Sequence, residues 1–377
     1  MKIHILTACF HPELHPRAFR AFELARECAR QGDDVHITTL TRVESVDYDA
    51  MQQEYGFHLH FIELYKRQLG QTSQTGFSFT SINPLKQKCY AAYRRVVEYL
   101  LDGNMFRYAP KIAKQLNISP DTDIFIALST PFMDIYAGAL YRKENHLPDT
   151  CFIADSGDPF SGSQQTKRAF YMRWLEHWVY KKYDYLAIPT DNARAAYKRV
   201  IEESKIRIIP QGFDFASTPI ARYIKNGVPT FAYAGVFYRD IRNPEFLFTF
   251  LSQLKQDFVF RLYLRHRDPY TEAIIDKYRT SLGGRLQIQY GTERTKLIYE
   301  LSKCDFLIDI RNNNKTQLPS KLIDYGITKR PIFHCAEQDF NDKVFESFLS
   351  NDYSSAKPID ITPYDIKTIV QHFKELK

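Results

Sequence analysis

The chain has 377 residues, 44% hydrophobic and 25% charged, which is the balance of a water-exposed globular protein long enough for two domains with a core each. No apolar run approaches the ~20 residues of a membrane-spanning helix. The opening MKIHILTACF is too short for a secretion signal and reads as a strand, and six scattered cysteines without C-x-x-C spacing fit reduced thiols in a cytoplasm.

The apolar residues 2–8 predict a first strand. HPELHPRAFR breaks the pattern, and Ala18, Ala21, Ala25, Cys28 and Ala29 then recur at helical spacing up to Gln31-Gly32. VHITTL follows as a second strand, so the chain opens as a βαβ unit. The loop lacks G-x-G-x-x-G, which argues against a dinucleotide site there. It carries His11, His15, Arg17 and Arg20 instead, which either meet a phosphate or a sugar or decorate the first helical turns. Asp47-Tyr48-Asp49 spells D-x-D, a metal motif of a different fold, and one occurrence in a polar loop is read as chance. No His/Asp cluster shows ligand spacing along the sequence, so no metal is expected.

Residues 61–120 hold nine Lys/Arg against three acids, an excess of six within a formal net charge of +7. QLGQTSQTGFSFTSINP is a loop by composition. The basic, aromatic segment that follows, within 66–116, reads either as an amphipathic helix at an anionic membrane surface or as a helix whose apolar face is core. No nucleic-acid reading module accompanies the charge. DIFIAL and CFIADSGDPF are further strands, the second running into a loop with Asp155 and Asp158. These carboxylates suit ligand hydroxyls or a positive charge, or they cap the following helix. YLAIPT, a helix capped by Thr190 or Asp191, and IRIIP lead to Gln211-Gly212-Phe213-Asp214. The first domain is expected to span 1–214, with 215–229 as linker.

The second domain, 230–357, begins with the strand FAYAG, closing on Gly235. Arg239 and Arg242 stand in the next loop, and Asn243-Pro244-Glu245 signals a helix start. Cations before a helix N-terminus favour an anion, and a diphosphate is the expected one. FVFRLYLR, LQIQYG and CDFLIDI continue the strands. QLPSKLIDYGITKRP then places Pro319, Ser320 and Lys321 in the first turn of a helix and Asp324 three residues on, so a cation and a carboxylate share one side. The lysine is expected to meet a phosphate and the aspartate a ribose. Residues 358–377 close the chain as an amphipathic helix.

PSKLIDY followed by KRPI resembles the P-S-K-x-x-E-Y…G-x-P-V stretch of retaining glycosyltransferases of family 4. CFHPELHPRAFRAFELARECARQGDDV is similar to the way many of them begin. The stretch from WLEHWVY to QGFD resembles them along its length. CFIADSGDPF is similar to a D-x-R-D-P segment, with Ser156-Gly157 in place of x-R, and AGVFYRDIRNPEFL puts Arg242 in the position of a phosphate-binding lysine. Asp324 stands for a glutamate, and Thr316 where relatives carry an earlier glutamate.

The resemblance implies an α/β, GT-B fold: two Rossmann-like domains facing a central cleft, with the C-terminal helix crossing back to the first. It implies a retaining, metal-independent hexosyl transfer from a nucleotide-diphosphate sugar, UDP favoured over GDP, to a glycan or glycolipid acceptor in bacterial surface polysaccharide synthesis. The site would take Arg242, Lys321 and Asp158 for catalysis, and Gly235, Arg239, Arg242, Asn243, Tyr290, Pro319, Ser320, Lys321 and Asp324 for the donor. His15, Arg17, Arg20 and Asp155 would hold the acceptor. The enzyme would need no cofactor and would sit in the cytoplasm, peripheral on the membrane's inner face through 66–116. A nucleotide-sugar epimerase or a non-catalytic subunit of a polysaccharide-assembly complex are the alternatives.

Overall fold

Alternating apolar strands and amphipathic helices build two units in the computed structural model, which describes residues 1–13, 15–40, 42–64, 93, 96–97, 99–100, 105–129, 131–162, 168–239, 242–311 and 320–377. The first unit comprises Met1–Phe213 with Tyr364–Lys377, and the second Asp214–Pro363.

Among the described residues the first unit holds a seven-stranded sheet in the order β3-β2-β1-β4-β5-β6-β7. Its strands are β1 (Lys2–Thr7), β2 (Asp34–Thr39), β3 (His58–Phe61), β4 (Ile124–Ser129), β5 (Cys151–Ser156), β6 (Tyr185–Ile188) and β7 (Ile206–Ile208), and every pairing is parallel. A parallel sheet is covered on both faces, hence the apolar runs. Ile3, Ile5, Val35 and Ile37 pack to one side and Leu6, Phe125 and Phe152 to the other. Helix α1 (Pro16–Arg30) starts with proline in its first turn and buries the Ala18, Ala21, Ala25 and Cys28 stripe. Helix α2 (Tyr48–Tyr55) is capped by Asp47, whose side chain accepts from the Asp49 and Ala50 amides. The D-x-D spelling is a helix cap. Helices α3 (Met105–Gln115), α4 (Phe132–Glu144) and α5 (Met172–Tyr180) complete the covering.

The second unit has a five-stranded parallel sheet, β10-β9-β8-β11-β12, of β8 (Thr230–Gly235), β9 (Val259–Leu264), β10 (Leu286–Tyr290), β11 (Phe306–Ile310) and β12 (Ile332–Cys335). Its helices are α6 (Glu245–Gln253), α7 (Pro269–Leu282), α8 (Arg294–Ser302), α9 (Ser320–Thr328) and α10 (Asp342–Leu349). Its core is aromatic: Phe231 stands among Phe258, Phe260, Phe306 and Phe345, with ring centroids within 5.6 Å.

The segment expected as a free linker, 215–229, belongs to the second unit. Asp305 draws it in, accepting from the Tyr223 hydroxyl at 2.8 Å and from the Asn226 side chain at 3.1 Å, while Arg330 lies 3.7 Å above the Tyr223 ring. Helix α11 (Ile366–Lys374) joins the first unit, burying Ile366, Ile369, Val370 and Phe373 beside Ile3, Leu24 and Cys28. Gly212 permits this approach, because a Cβ there would lie 2.6 Å from Ile366.

Candidate functional site

The second unit gathers charge at the carboxyl ends of β8 and β11, where ligands of open α/β sheets bind. Strand β8 ends at Gly235, whose φ of +144° suits glycine and whose Cβ position lies 3.1 Å from the Tyr233 hydroxyl. The chain then turns back on itself. The Arg242 amide donates to the Tyr238 carbonyl at 2.9 Å, and the Arg242 guanidinium reaches the Val236 carbonyl at 3.3 Å and the Tyr233 hydroxyl at 3.5 Å. From the other side comes Lys321, in the first turn of α9, with its ammonium 4.9 Å from the Tyr233 ring centre. Two cations, one from a loop and one from a helix, therefore converge on one buried tyrosine.

Lys321 is held by a group that sequence reasoning passed over. Its ammonium lies 2.7 Å from Asp309 and donates to the Ile310 carbonyl at 3.2 Å. Asp309 also meets His334 at 2.8 Å, its register neighbour on β12. Burial alone would raise the Asp309 carboxyl, but the His334 hydrogen bond and the Lys321 charge outweigh it and bring it down to about 2. Burial pulls the Lys321 ammonium below the ordinary lysine value. Asp309 opposes that, and the Arg242 charge adds to it. The available signal was Asp309 as the lone acid of the apolar strand FLIDI.

The other residues expected at the donor lie in the same unit. Asn243 accepts at Oδ1 from the Glu245 amide and the Tyr270 hydroxyl, both at 3.0 Å, and so shapes the start of α6. Arg239 is exposed, 5.4 Å above the Tyr270 ring. Asp324, one turn beyond Lys321, accepts from Arg294 at 2.6 and 3.0 Å, which puts a guanidinium at the carboxylate expected to meet ribose. Burial nevertheless raises the Asp324 carboxyl, with Arg294 opposing. Tyr290 donates to Glu272 and lies beneath Arg267, and Glu293 caps α8 by accepting from the Thr295 and Lys296 amides. Ser320 opens α9, and Pro319 and Thr316 lie outside the described residues.

In the first unit, Arg17, Arg20 and Asp155 do come together, as partners of one another. Arg17 donates to Asp155 Oδ1 at 2.7 Å and Arg20 to Oδ2 at 2.5 Å, and Arg20 also reaches the Pro210 and Ile209 carbonyls. Asp155 is 1% exposed and Arg20 3%, so their charges are met inside the protein. Burial opposes ionisation of Asp155, but the guanidiniums of Arg20 and Arg17 outweigh it and leave the carboxyl below its usual range. His15 caps α1, accepting from the Arg17 amide at 3.2 Å, with its ring exposed. Asp158 is exposed, and its carbonyl accepts from Ser156. Neither aspartate caps α5, which has no side-chain cap. A further buried acid, Asp134, accepts from the Ala8 amide at 2.6 Å, and burial pushes its carboxyl up to about 8.

No family model matches the chain, and no curated protein does. Solved structures are similar over its whole length. A glycosyltransferase from Rickettsia africae aligns with a TM-score of 0.58 at 12% identity, covering 100% of this chain and 98% of the other. Anabaena Alr3699/HepE, in complex with UDP and glucose, aligns with a TM-score of 0.53 at 10% identity, covering 100% and 98%. A Staphylococcus aureus TarM mutant, bound to fondaparinux, alpha-GlcNAc-glycerol and UDP, gives 0.52 at 9% identity over 100% and 99%. The chain therefore has the GT-B fold, with two Rossmann-like units.

Proposed function

We propose that the protein is a retaining, metal-independent hexosyltransferase that moves a sugar from a nucleotide-diphosphate donor to a glycan or glycolipid acceptor. The observation that carries this reading is the convergence of Arg242 and Lys321 on Tyr233 at the carboxyl ends of β8 and β11, in a fold shared with UDP-bound neighbours. The two cations neutralise the diphosphate as it leaves, and preorganised charge of this kind acts where negative charge develops. Asn243, Arg239 and the amides at the start of α6 add to the phosphate cradle, and Gly235 lets the chain approach it closely. Asp324, sharing Arg294, takes the ribose hydroxyls, and Tyr290 borders the base.

The acceptor oxygen bonds to the anomeric carbon on the face from which the phosphate oxygen departs, and that oxygen takes the acceptor proton. Asp158 steadies the positive charge on the sugar, while His15 and Arg17 orient the acceptor. UDP is the favoured nucleotide, and synthesis of surface polysaccharide at the cytoplasmic face of a membrane is the favoured setting.

Thermal unfolding with UDP, GDP, ADP and CMP tests the donor site. One uridine or guanosine diphosphate, at about 100 times its Kd, should stabilise the wild type by roughly 2.7 kcal/mol, and Arg242→Ala should abolish the shift. Equal shifts in both proteins would remove Arg242 from the site. Product analysis without acceptor separates transfer from epimerisation.

The membrane contact is proposed on a second observation. No helix among the described residues is long and apolar enough to cross a membrane, yet Phe170 and Trp174 are 76% and 69% exposed. Tyr99 and Leu100, whose carbonyls accept from the Ala169 amide and the Tyr171 hydroxyl, are exposed as well, and so are Tyr93 and Val96. Aromatic side chains of this kind sit at membrane interfaces, and basic neighbours attract anionic lipid. Wild type should float with anionic vesicles at about 0.1 M salt, and Phe170→Ser with Trp174→Ser should reduce the bound fraction several-fold. Wild type left in the pellet would end the idea.

A further inference from the structure

Four of the chain's eleven histidines lie on one patch of the first sheet, at its β3 edge. The sequence hides the grouping, because register rather than spacing brings it about. Cross-strand pairing aligns His4 with His36 and His36 with His58, and His60 follows two residues along β3 on the same face. The rings lie nearly parallel: His36 is 4.9 Å from His58, 5.4 Å from His60 and 6.2 Å from His4. Imidazole is an unusual choice for a strand, and three in register with a fourth two residues along call for a cause.

Beside them stands Asp34. Its Oδ1 is 3.1 Å from His36 Nε2 and 3.7 Å from His58 Nε2, and one ligand atom from each of the three residues lies within 4.8 Å of the others. We propose that Asp34, His36 and His58 form a binding site for a divalent transition metal ion of the zinc class, with water completing a tetrahedron. At metal–ligand distances near 2.0–2.1 Å, tetrahedral ligand atoms sit about 3.3 Å apart, so the two distances to Asp34 Oδ1 are close to a metal's own, and the two imidazoles need only a modest side-chain movement to match them. His58, with its side chain 61% exposed, is free to close the small gap.

The surroundings supply what a metal site needs around its ligands. His36 Nδ1 lies 3.1 Å from His60 Nε2. With Nδ1–H of His36 donating to His60, the His36 Nε2 lone pair faces Asp34. On β1, His4 Nε2 lies 2.8 Å from the Thr38 hydroxyl. Lys2 lies 3.7 Å from Asp34 Oδ2 and is held by Asp121 at 3.0 Å, which leaves Oδ1 to the ion.

The site is at the amino-terminal ends of β2 and β3, whereas the sugar-transfer chemistry belongs to the carboxyl ends. It acts as a staple on the edge strand and is independent of the transfer reaction. A metal bridging β2 and β3 holds the outermost strand of the sheet, one that pairs through four residues.

The test is titration of the chelator-treated full chain with Co²⁺ and with Zn²⁺. One equivalent of Co²⁺ should give the visible d–d absorption of a tetrahedral nitrogen and oxygen site, without thiolate charge transfer, and Zn²⁺ should raise Tm by several degrees. His58→Gln, an exposed substitution that leaves the metal-free fold intact by circular dichroism, should weaken binding at least tenfold and remove the Tm rise. Asp34→Asn should do the same. Absence of a saturable first equivalent, binding that survives His58→Gln, or a thiolate signature would each overturn the assignment.

Discussion

Lys321→Ala is expected to lower kcat by about 10²–10³-fold, the usual loss when one preorganised charge is removed from a developing anion. The argument rests on position. Lys321 is 12% exposed, its ammonium is fixed by Asp309 and the Ile310 carbonyl, and Arg242 stands across the same tyrosine. A lysine so held is ready for a phosphate and needs little rearrangement to meet it. The substitution also leaves Asp309 buried with His334 as its remaining partner, and breaking a buried pair costs roughly 3–5 kcal/mol.

Asp309→Asn in the Lys321→Ala background separates the two effects, because it should recover stability without recovering turnover. Single-turnover rates and Tm measured together decide between them, and full activity in Lys321→Ala would remove the residue from the chemistry. The pH dependence follows the same logic. The Asp309 value in the folded protein, about 2, lies below the ordinary carboxylate value. Its stabilisation is therefore complete above roughly pH 4 and is lost as pH falls toward 2. Without Lys321, acid unfolding should begin at a higher pH.

Asp155→Asn should reduce stability by about 3–5 kcal/mol, because two guanidiniums would remain buried without their anion. For a unit of this size that corresponds to a Tm lower by roughly 10 °C. Arg20→Leu added to Asp155→Asn should recover part of the loss. If Asp155→Asn kept its Tm and lost acceptor-dependent turnover, an acceptor contact would replace the structural role. Differential scanning calorimetry with a transfer assay reads both quantities.

Local signals carried much of this architecture. Apolar alternation and helical stripes marked the strands and α1, and QLPSKLIDY drew attention to Lys321. Partnerships across long separations left no such trace. Arg17 and Asp155 are 138 residues apart, and their residue types alone suit a ligand as well as they suit each other. Asp309 was hidden because a single acid in an apolar strand declares burial but not its partners. The segment 215–229 has the composition of a linker, and only the position of Asp305 shows why it is anchored. His36 and His58 were invisible for a related reason, since strand register decides which side chains become neighbours.

The placement of α11 has a consequence for biosynthesis. The first unit's core includes Ile366, Ile369, Val370 and Phe373, which the ribosome makes only after the whole of the second unit. At ~5–20 residues per second, roughly 8–30 s separate Phe213 from Tyr364. During that interval the nascent first unit presents an uncovered apolar groove around Leu24 and Cys28, while the second unit has every residue needed to fold. The part translated first is thus the part finished last, and chaperone protection during synthesis matters most for the amino-terminal unit.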